Sequence, residues 1–212
     1  DGMQFTLSCS MPTDATLYYS IDGGSQTQYN NSPVSFTIDD LPLTVTAVAK
    51  HSDYYDSDPT NVTLTKGEGT PSSPYLIYGA EDFSDFVTDV NNGTTADKCY
   101  MLCTDVSASG IGAITEDFSD TFDGGGYTIS GLTHPLFNTV NGGVVKNVML
   151  KNVSISSSES NVGAIAGTAQ GYSRIYNCGI LPNSADFPEG THPTVTTTGT
   201  CAGGIVGRLL DS

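Results

Sequence analysis

Four carboxylates near the middle of the chain, Glu116, Asp117, Asp120 and Asp123, are the residues best suited to do chemistry. Two carboxyls held across a glycosidic bond supply the acid and the base or nucleophile of a glycosidase. A lyase acting on uronates would add cations to neutralise the substrate carboxylate. Lys146, Lys151 and Arg174 are the basic residues of the same stretch. The local pattern argues against both readings. Asp123-Gly124 reads as a turn and Glu116 to Asp120 as a solvated loop, so these carboxylates are weak catalytic candidates. No Ser or Cys sits in a nucleophile-elbow context such as G-x-S-x-G. The chain reads as non-catalytic.

Binding chemistry is the next possibility. Exposed aromatic rings are stacking platforms for sugars, and Tyr18, Tyr29, Tyr54 and Tyr55 would serve if they face outward. The absence of Trp weakens this, because Trp offers the largest platform. Asp22-Gly23-Gly24 and the stretch from Asp120 to Gly126 are rich in Asp and Gly. Neither fits an EF-hand loop or a nonapeptide calcium repeat, and turns account for both. The histidines, His51, His134 and His192, have no metal-ligand spacing to the cysteines, so no zinc site is expected. No cofactor is implied. Cys9, Cys99, Cys103, Cys178 and Cys201 are odd in number and irregular in spacing, which favours buried thiols over a disulfide framework.

The elements that must position these residues follow from composition. Charged residues are 14% of the chain, against roughly 25% in ordinary globular proteins, so Ser, Thr, Asn and Gly must cover the surface. With 7 Lys and Arg against 23 Asp and Glu, the formal charge is −16. Such a chain repels phosphate backbones, anionic lipid headgroups and acidic polysaccharides, which excludes nucleic acid as a main partner and leaves calcium or a neutral glycan compatible. No apolar run reaches the length of a membrane span. The start at Asp1-Gly2 lacks a basic n-region and an apolar h-region. It reads as the mature part of an exported protein or as an expression start.

Residues 1–66 read as short alternating strands. The sets are Phe5, Leu7, Cys9; Leu17, Tyr19, Ile21; Val34, Phe36, Ile38; Leu43, Val45, Ala47, Ala49; and Val62, Leu64. Asp22-Gly23-Gly24 is a hairpin signal. Strands this short and regularly broken predict a small Ig-like β-sandwich. Gly, Pro and Ser in 67–74 mark a linker. Beyond it Phe83, Phe86, Val87 and Val90 recur at helical spacing, with Glu81 and Asp82 in the first turn and Asn92-Gly93 as the stop. A lone amphipathic helix at the head of a β region is expected to cap an open sheet end.

From residue 99 onward the pattern is β again. Val145 to Ile155 holds a five-residue repeat in which Val145, Val148, Leu150, Val153 and Ile155 point inward. Lys-Asn pairs interrupt the alternation, and Asn tolerates the left-handed backbone of a sharp corner. A longer repeat is superimposed. Leu136-Phe137-Asn138, Ile165-Ala166-Gly167 and Ile205-Val206-Gly207 recur at 29 and 40 residues, and Asn147 and Asn177 recur at 30. Asn147 and Asn177 should therefore stack in adjacent coils, their amides bonding to neighbouring backbone. One coil takes about thirty residues and the next carries an insertion around Pro182 to Thr200, which predicts a solenoid. The expected fold is all-β: the sandwich at 1–66, then a right-handed parallel β-helix over 75–212 with one N-terminal capping helix.

Val162-Gly163-Ala164-Ile165-Ala166-Gly167 and Ala202-Gly203-Gly204-Ile205-Val206-Gly207 resemble the GLUG motif of bacterial surface proteins. Pro135-Leu136-Phe137-Asn138 departs from it, with Pro and Asn where the signature has Gly. Pro74-Tyr75-Leu76-Ile77, Ala80-Glu81-Asp82-Phe83 and the stretch from Thr121 to Leu132 resemble the lead-in segment of the same proteins. Leu17 to Gly24 and Val45 to Ala49 resemble the small C-terminal-type module of chitobiases and β-hexosaminidases, which is accessory where it occurs. The first resemblance implies an exported, cell-surface protein used in adhesion or glycan contact, with the solenoid as stalk or binding face. Its partner would be a host or microbial surface glycan or protein. The alternative is a fragment of a secreted polysaccharide-degrading enzyme with catalytic coils beyond residue 212. Only five residues follow Gly207, so the last coil is expected to be cut short, leaving an open edge for end-to-end self-association.

Overall fold

The structure is a computed structural model, and it describes residues 3–10, 13–37, 40–94, 97–182 and 193–210. Ile38, His192, Ser212 and most of the insertion expected between Pro182 and Thr200 lie outside the described residues. Strands dominate, and Ala80–Asn91 is the one helix among the described residues. The chain divides into two compact units, Asp1–Lys66 and Gly67–Ser212.

The first unit is antiparallel. Its larger sheet orders the strands Thr27–Gln28, Thr16–Ile21, Leu43–Lys50 and Thr60–Leu64, and a second pair joins Met3–Phe5 to Val34–Phe36. Asp22 and Gly23 take positive φ values of 48° and 72°, the backbone of a tight hairpin turn. The Asp22 carboxylate accepts the N–H of Thr44 at 2.7 Å and pins that turn to the neighbouring strand. Phe36, Leu43 and Val45 form the core, with Phe5, Tyr19, Ile21 and Leu64 packed on it. The expected alternation fails at its edges. Leu7 and Cys9 follow the end of the first strand, and Val62 is 51% exposed on an edge strand with no apolar layer over it.

The second unit is built from parallel ladders, each strand pairing with one a repeat later. Tyr75–Ile77, Cys99–Leu102, Thr121–Asp123, Val144–Lys146 and Arg174–Tyr176 form a five-stranded sheet. In it Tyr100 faces Phe122, Phe122 faces Val145 and Val145 faces Ile175, which are steps of 22, 23 and 30 residues. Val106–Ser107, Thr128–Ser130, Met149–Lys151 and Gly179–Ile180 form the next sheet. Ile114–Phe118, Phe137–Asn141, Ala166–Gln170 and Val206–Leu209 form the third. There Phe137 faces Ala166 and Ala166 faces Val206, the 29- and 40-residue steps read from the sequence. The repeats are therefore unequal, and the earliest are shorter than thirty residues.

Most of these short strands bury one or two apolar side chains. Leu102, Phe118, Phe122, Ile129, Phe137, Val145, Val148, Leu150 and Val153 are fully buried. Burial of each such side chain stabilises by about 1.5–3 kcal/mol. The chain leaves one sheet for the next at asparagines in the left-handed region, with φ of 55° at Asn147, 53° at Asn152 and 53° at Asn177. Stacking is close enough to dictate glycine at the repeat signature. A Cβ on Gly163 would fall 2.6 Å from the N of Gly207, and no rotamer relieves a clash with backbone.

The helix closes the open end of the third sheet. Phe83, Phe86, Val87 and Val90 are buried, in the same core cluster as the strands. The Phe86 ring lies 4.7 Å from Tyr100 and 5.0 Å from Phe122, centroid to centroid. Asp82 accepts the N–H of Tyr78 at 2.9 Å and Gly93 takes φ 68° just past the end. The last helical residue, Asn91, acts as a substitute strand. Its amide donates to Ala113 O at 2.9 Å and accepts from Thr115 N at 2.8 Å, so edge groups of Ile114–Phe118 are not left unpaired.

Candidate functional site

On the five-stranded sheet the residues that do not point inward form an outer face. Cys99 and Met101, Thr121 and Asp123, Val144 and Lys146, and Arg174 and Tyr176 occupy matching positions on four adjacent strands. With Pro71 and Pro74 they line a groove of about 310 Å³. Lys146 Nζ lies 3.0 Å from Asp123 Oδ2. Asp123 Oδ1 accepts from Asn147 Nδ2 at 2.8 Å and from Gly125 N at 2.9 Å. Partial burial pushes the Asp123 carboxyl up, but Asn147, the Gly125 N–H and Lys146 together hold it below its ordinary value. The hydrogen bond to Asp123 raises Lys146 above its own. The pair is thus ionised at neutral pH.

Asn177 Nδ2 in turn donates to Asn147 Oδ1 at 2.6 Å. Asn147 and Asn177 stack as the spacing predicts, but side chain to side chain; the expected bonds to neighbouring backbone are replaced by this ladder and by the Asp123 carboxylate. An acceptor one repeat earlier, 24 residues upstream, suits the Asn147 amide geometry.

The four carboxylates have separate fates. Asp123 is committed to Lys146 and the corner. Asp120, expected in a solvated loop, is 3% exposed. One of its oxygens accepts Lys98 N at 2.9 Å and the other has no hydrogen-bond partner. It ties the approach to one strand to the corner before the next. Glu116 and Asp117 are exposed on the strand Ile114–Phe118, where Asp117 accepts from Asn141 Nδ2 at 2.9 Å. Lys151 is exposed on the adjoining sheet, outside the groove.

The tyrosines divide similarly. Tyr29 is 7% exposed and presents no ring face to a ligand. Tyr18 is half-buried, with Lys50 Nζ 5.1 Å from its ring centroid. Tyr54 and Tyr55 are exposed, at 66% and 101%. Tyr172 and Tyr176 in the second unit are also exposed, at 86% and 50%. Sequence reasoning passed over both, although the alternation Arg174-Ile175-Tyr176 marks Tyr176 as outward.

Cys99, Cys103, Cys178 and Cys201 are free and half-buried, less enclosed than expected. Burial pushes the Cys103 and Cys178 thiols up, so neither is a thiolate at neutral pH. The two ring nitrogens of His134 lie 2.9 and 3.0 Å from the carbonyl oxygens of Pro135 and Ile111, and the ring N–H donates to one of them, a structural use of the ring. No helix among the described residues is long and apolar enough to cross a membrane.

Known proteins resemble parts of this chain. The family model for the N-terminal region of M26 IgA1-specific metallo-endopeptidase matches residues 78–180, just under half of it. Halomucin of Haloquadratum walsbyi is 33% identical over 188 residues, covering 75% of this chain and 2% of halomucin. Immunoglobulin A1 protease of Streptococcus sanguinis is 31% identical over 106 residues, covering 45% of this chain and 6% of the protease. The chain therefore spans a small fraction of these relatives' length. No solved structure matches it significantly. The peptidase family's name implies a metal, and the residues here do not fit one. No H-E-x-x-H motif is present, and among the described residues no three His, Cys, Asp or Glu side chains gather as a ligand set.

Proposed function

We propose that the chain is a non-catalytic region of an exported surface protein, used in adhesion or glycan contact. In this reading residues 75–212 form a right-handed parallel β-helix of GLUG-type repeats serving as stalk or binding face, after a linker at 67–74. Asp1–Lys66 is an Ig-like β-sandwich similar to the accessory module of chitobiases. The observation that carries the reading is the parallel pairing of each strand with its counterpart one repeat later, around an interior that is apolar but for Asp120. Such a stack spends its inward residues on packing and leaves its outward ones for contact. The similarity to halomucin supports a surface role.

The match over residues 78–180 favours a second, compatible reading. There the chain is a non-catalytic part of a secreted peptidase, whose metal centre lies elsewhere. The test is a glycan array probed with the intact chain, beside an incubation with immunoglobulin A1. Saccharide binding lost in the Tyr54→Ala/Tyr55→Ala or Tyr176→Ala variants, without cleavage of any protein or sugar, is the expected result. Cleavage by the chain alone would overturn the proposal.

A further inference from the structure

We propose that the outer groove of the five-stranded sheet binds a short saccharide bearing a carboxylate. Arg174 takes the carboxylate, Tyr176 stacks under a sugar ring, and the Asp123–Lys146 pair meets ring hydroxyls. The inference rests on the glycan-contact reading above and gives it a site and a ligand class.

Charge points to this groove first. The chain has 7 basic residues against 23 acidic ones, and two of the seven line this one groove. Lys146 is already matched by Asp123 at 3.0 Å. A neutralised pair offers donors and acceptors side by side, which suits hydroxyls better than net charge. Arg174 makes no ion pair or side-chain hydrogen bond among the described residues and is exposed. Its planar guanidinium is matched to a carboxylate in a two-pronged contact. The overall −16 opposes an anion at long range, but ions screen that repulsion beyond about 8 Å at physiological salt. Close contacts then decide.

Shape points the same way. Arg174 and Tyr176 are two residues apart on one strand, so both stand on the same face. Tyr176 is 50% exposed, an amphipathic ring open to stacking. Met101 and Val144 add apolar surface for the C–H side of a sugar. Adjacent strands lie about 4.8 Å apart, close to the length of one pyranose unit, so successive strands offer contacts in step with successive sugars. A peptide fits less well. The backbone groups of the three inner groove strands are already paired on both sides, so only Arg174–Tyr176, the last strand of the sheet, has an edge for an added strand.

Titration calorimetry on the intact chain with 3′-sialyllactose, digalacturonate and lactose tests this. At least one acidic sugar should bind, about tenfold more tightly than lactose, and weaken as salt rises. Whichever acid wins identifies a sialic or a uronic source of the carboxylate. Arg174→Gln should remove that advantage and leave lactose binding unchanged; Tyr176→Ala should weaken all three. Both side chains are exposed, and circular dichroism checks that the variants fold. If neither acid binds better than lactose, or if Arg174→Gln changes nothing, the groove proposal fails. If binding instead follows Tyr54→Ala/Tyr55→Ala, the groove falls while the glycan reading stands. No saccharide binding in any arm defeats both.

Discussion

Replacing Asn147 separates the two jobs given to the corner asparagines. Asn147 holds φ at 55°, where alanine costs roughly 1–2 kcal/mol and glycine almost nothing. Its amide also donates to the Asp123 carboxylate at 2.8 Å in a part-buried setting. A hydrogen bond to a charged group contributes about 1.5–3 kcal/mol, and partial exposure argues for the lower end or below. The bond to Asn177 is exposed and adds little. Asn147→Gly should therefore cost about 1 kcal/mol and Asn147→Ala about 2–3 kcal/mol. Urea unfolding followed by far-UV circular dichroism measures both, read from the second transition if the units melt separately. Equal effects of Ala and Gly would refute the left-handed corner. A loss under about 0.5 kcal/mol for both would refute the ladder as a stabilising element.

Other consequences follow from the same geometry. Phe86 touches the rings of Tyr100, Phe118, Phe122 and Phe137, so Phe86→Ala should cost about 3–5 kcal/mol, read by thermal melting. Asn91→Ala should leave the helix formed but expose Thr115 N, seen as faster amide exchange at Thr115 and its neighbours. The Asp123 carboxyl is held below its ordinary 3.8 in the folded state. Its contribution is therefore complete above pH 3.8 and lost as pH falls through the lower folded value. Lys146 is held above its ordinary 10.5, so its contribution is complete below that pH and lost as pH rises through the higher folded value. Asp123→Asn should flatten the acid limb of a stability–pH profile, and an unchanged limb would show that the pair does not stabilise the fold.

Local patterns in the sequence carried much of this. Val145, Val148, Leu150, Val153 and Ile155 are all buried as their spacing implies, because alternation and corner asparagines are short-range signals. The 29- and 40-residue steps emerged because Gly-rich signatures repeat where backbones nearly touch. Partners across repeats were harder to read. Asp123 meets Lys146 and Asn147 23 and 24 residues later, while the next step is 30, so no fixed period exposes the set. Asp120 looked like a loop residue because nothing local marks a carboxylate that turns inward to cap Lys98 N. Tyr29, just past the two-residue strand Thr27–Gln28, is buried, and so short a strand does not fix in the sequence whether a following ring packs or projects.

Mass spectrometry of the intact chain, incubated with an acidic oligosaccharide it retains and with immunoglobulin A1, separates a binding region from an enzyme. Both molecules should be recovered uncut, with the oligosaccharide bound to the chain. Shortened sugar or cleaved immunoglobulin would contradict the non-catalytic reading.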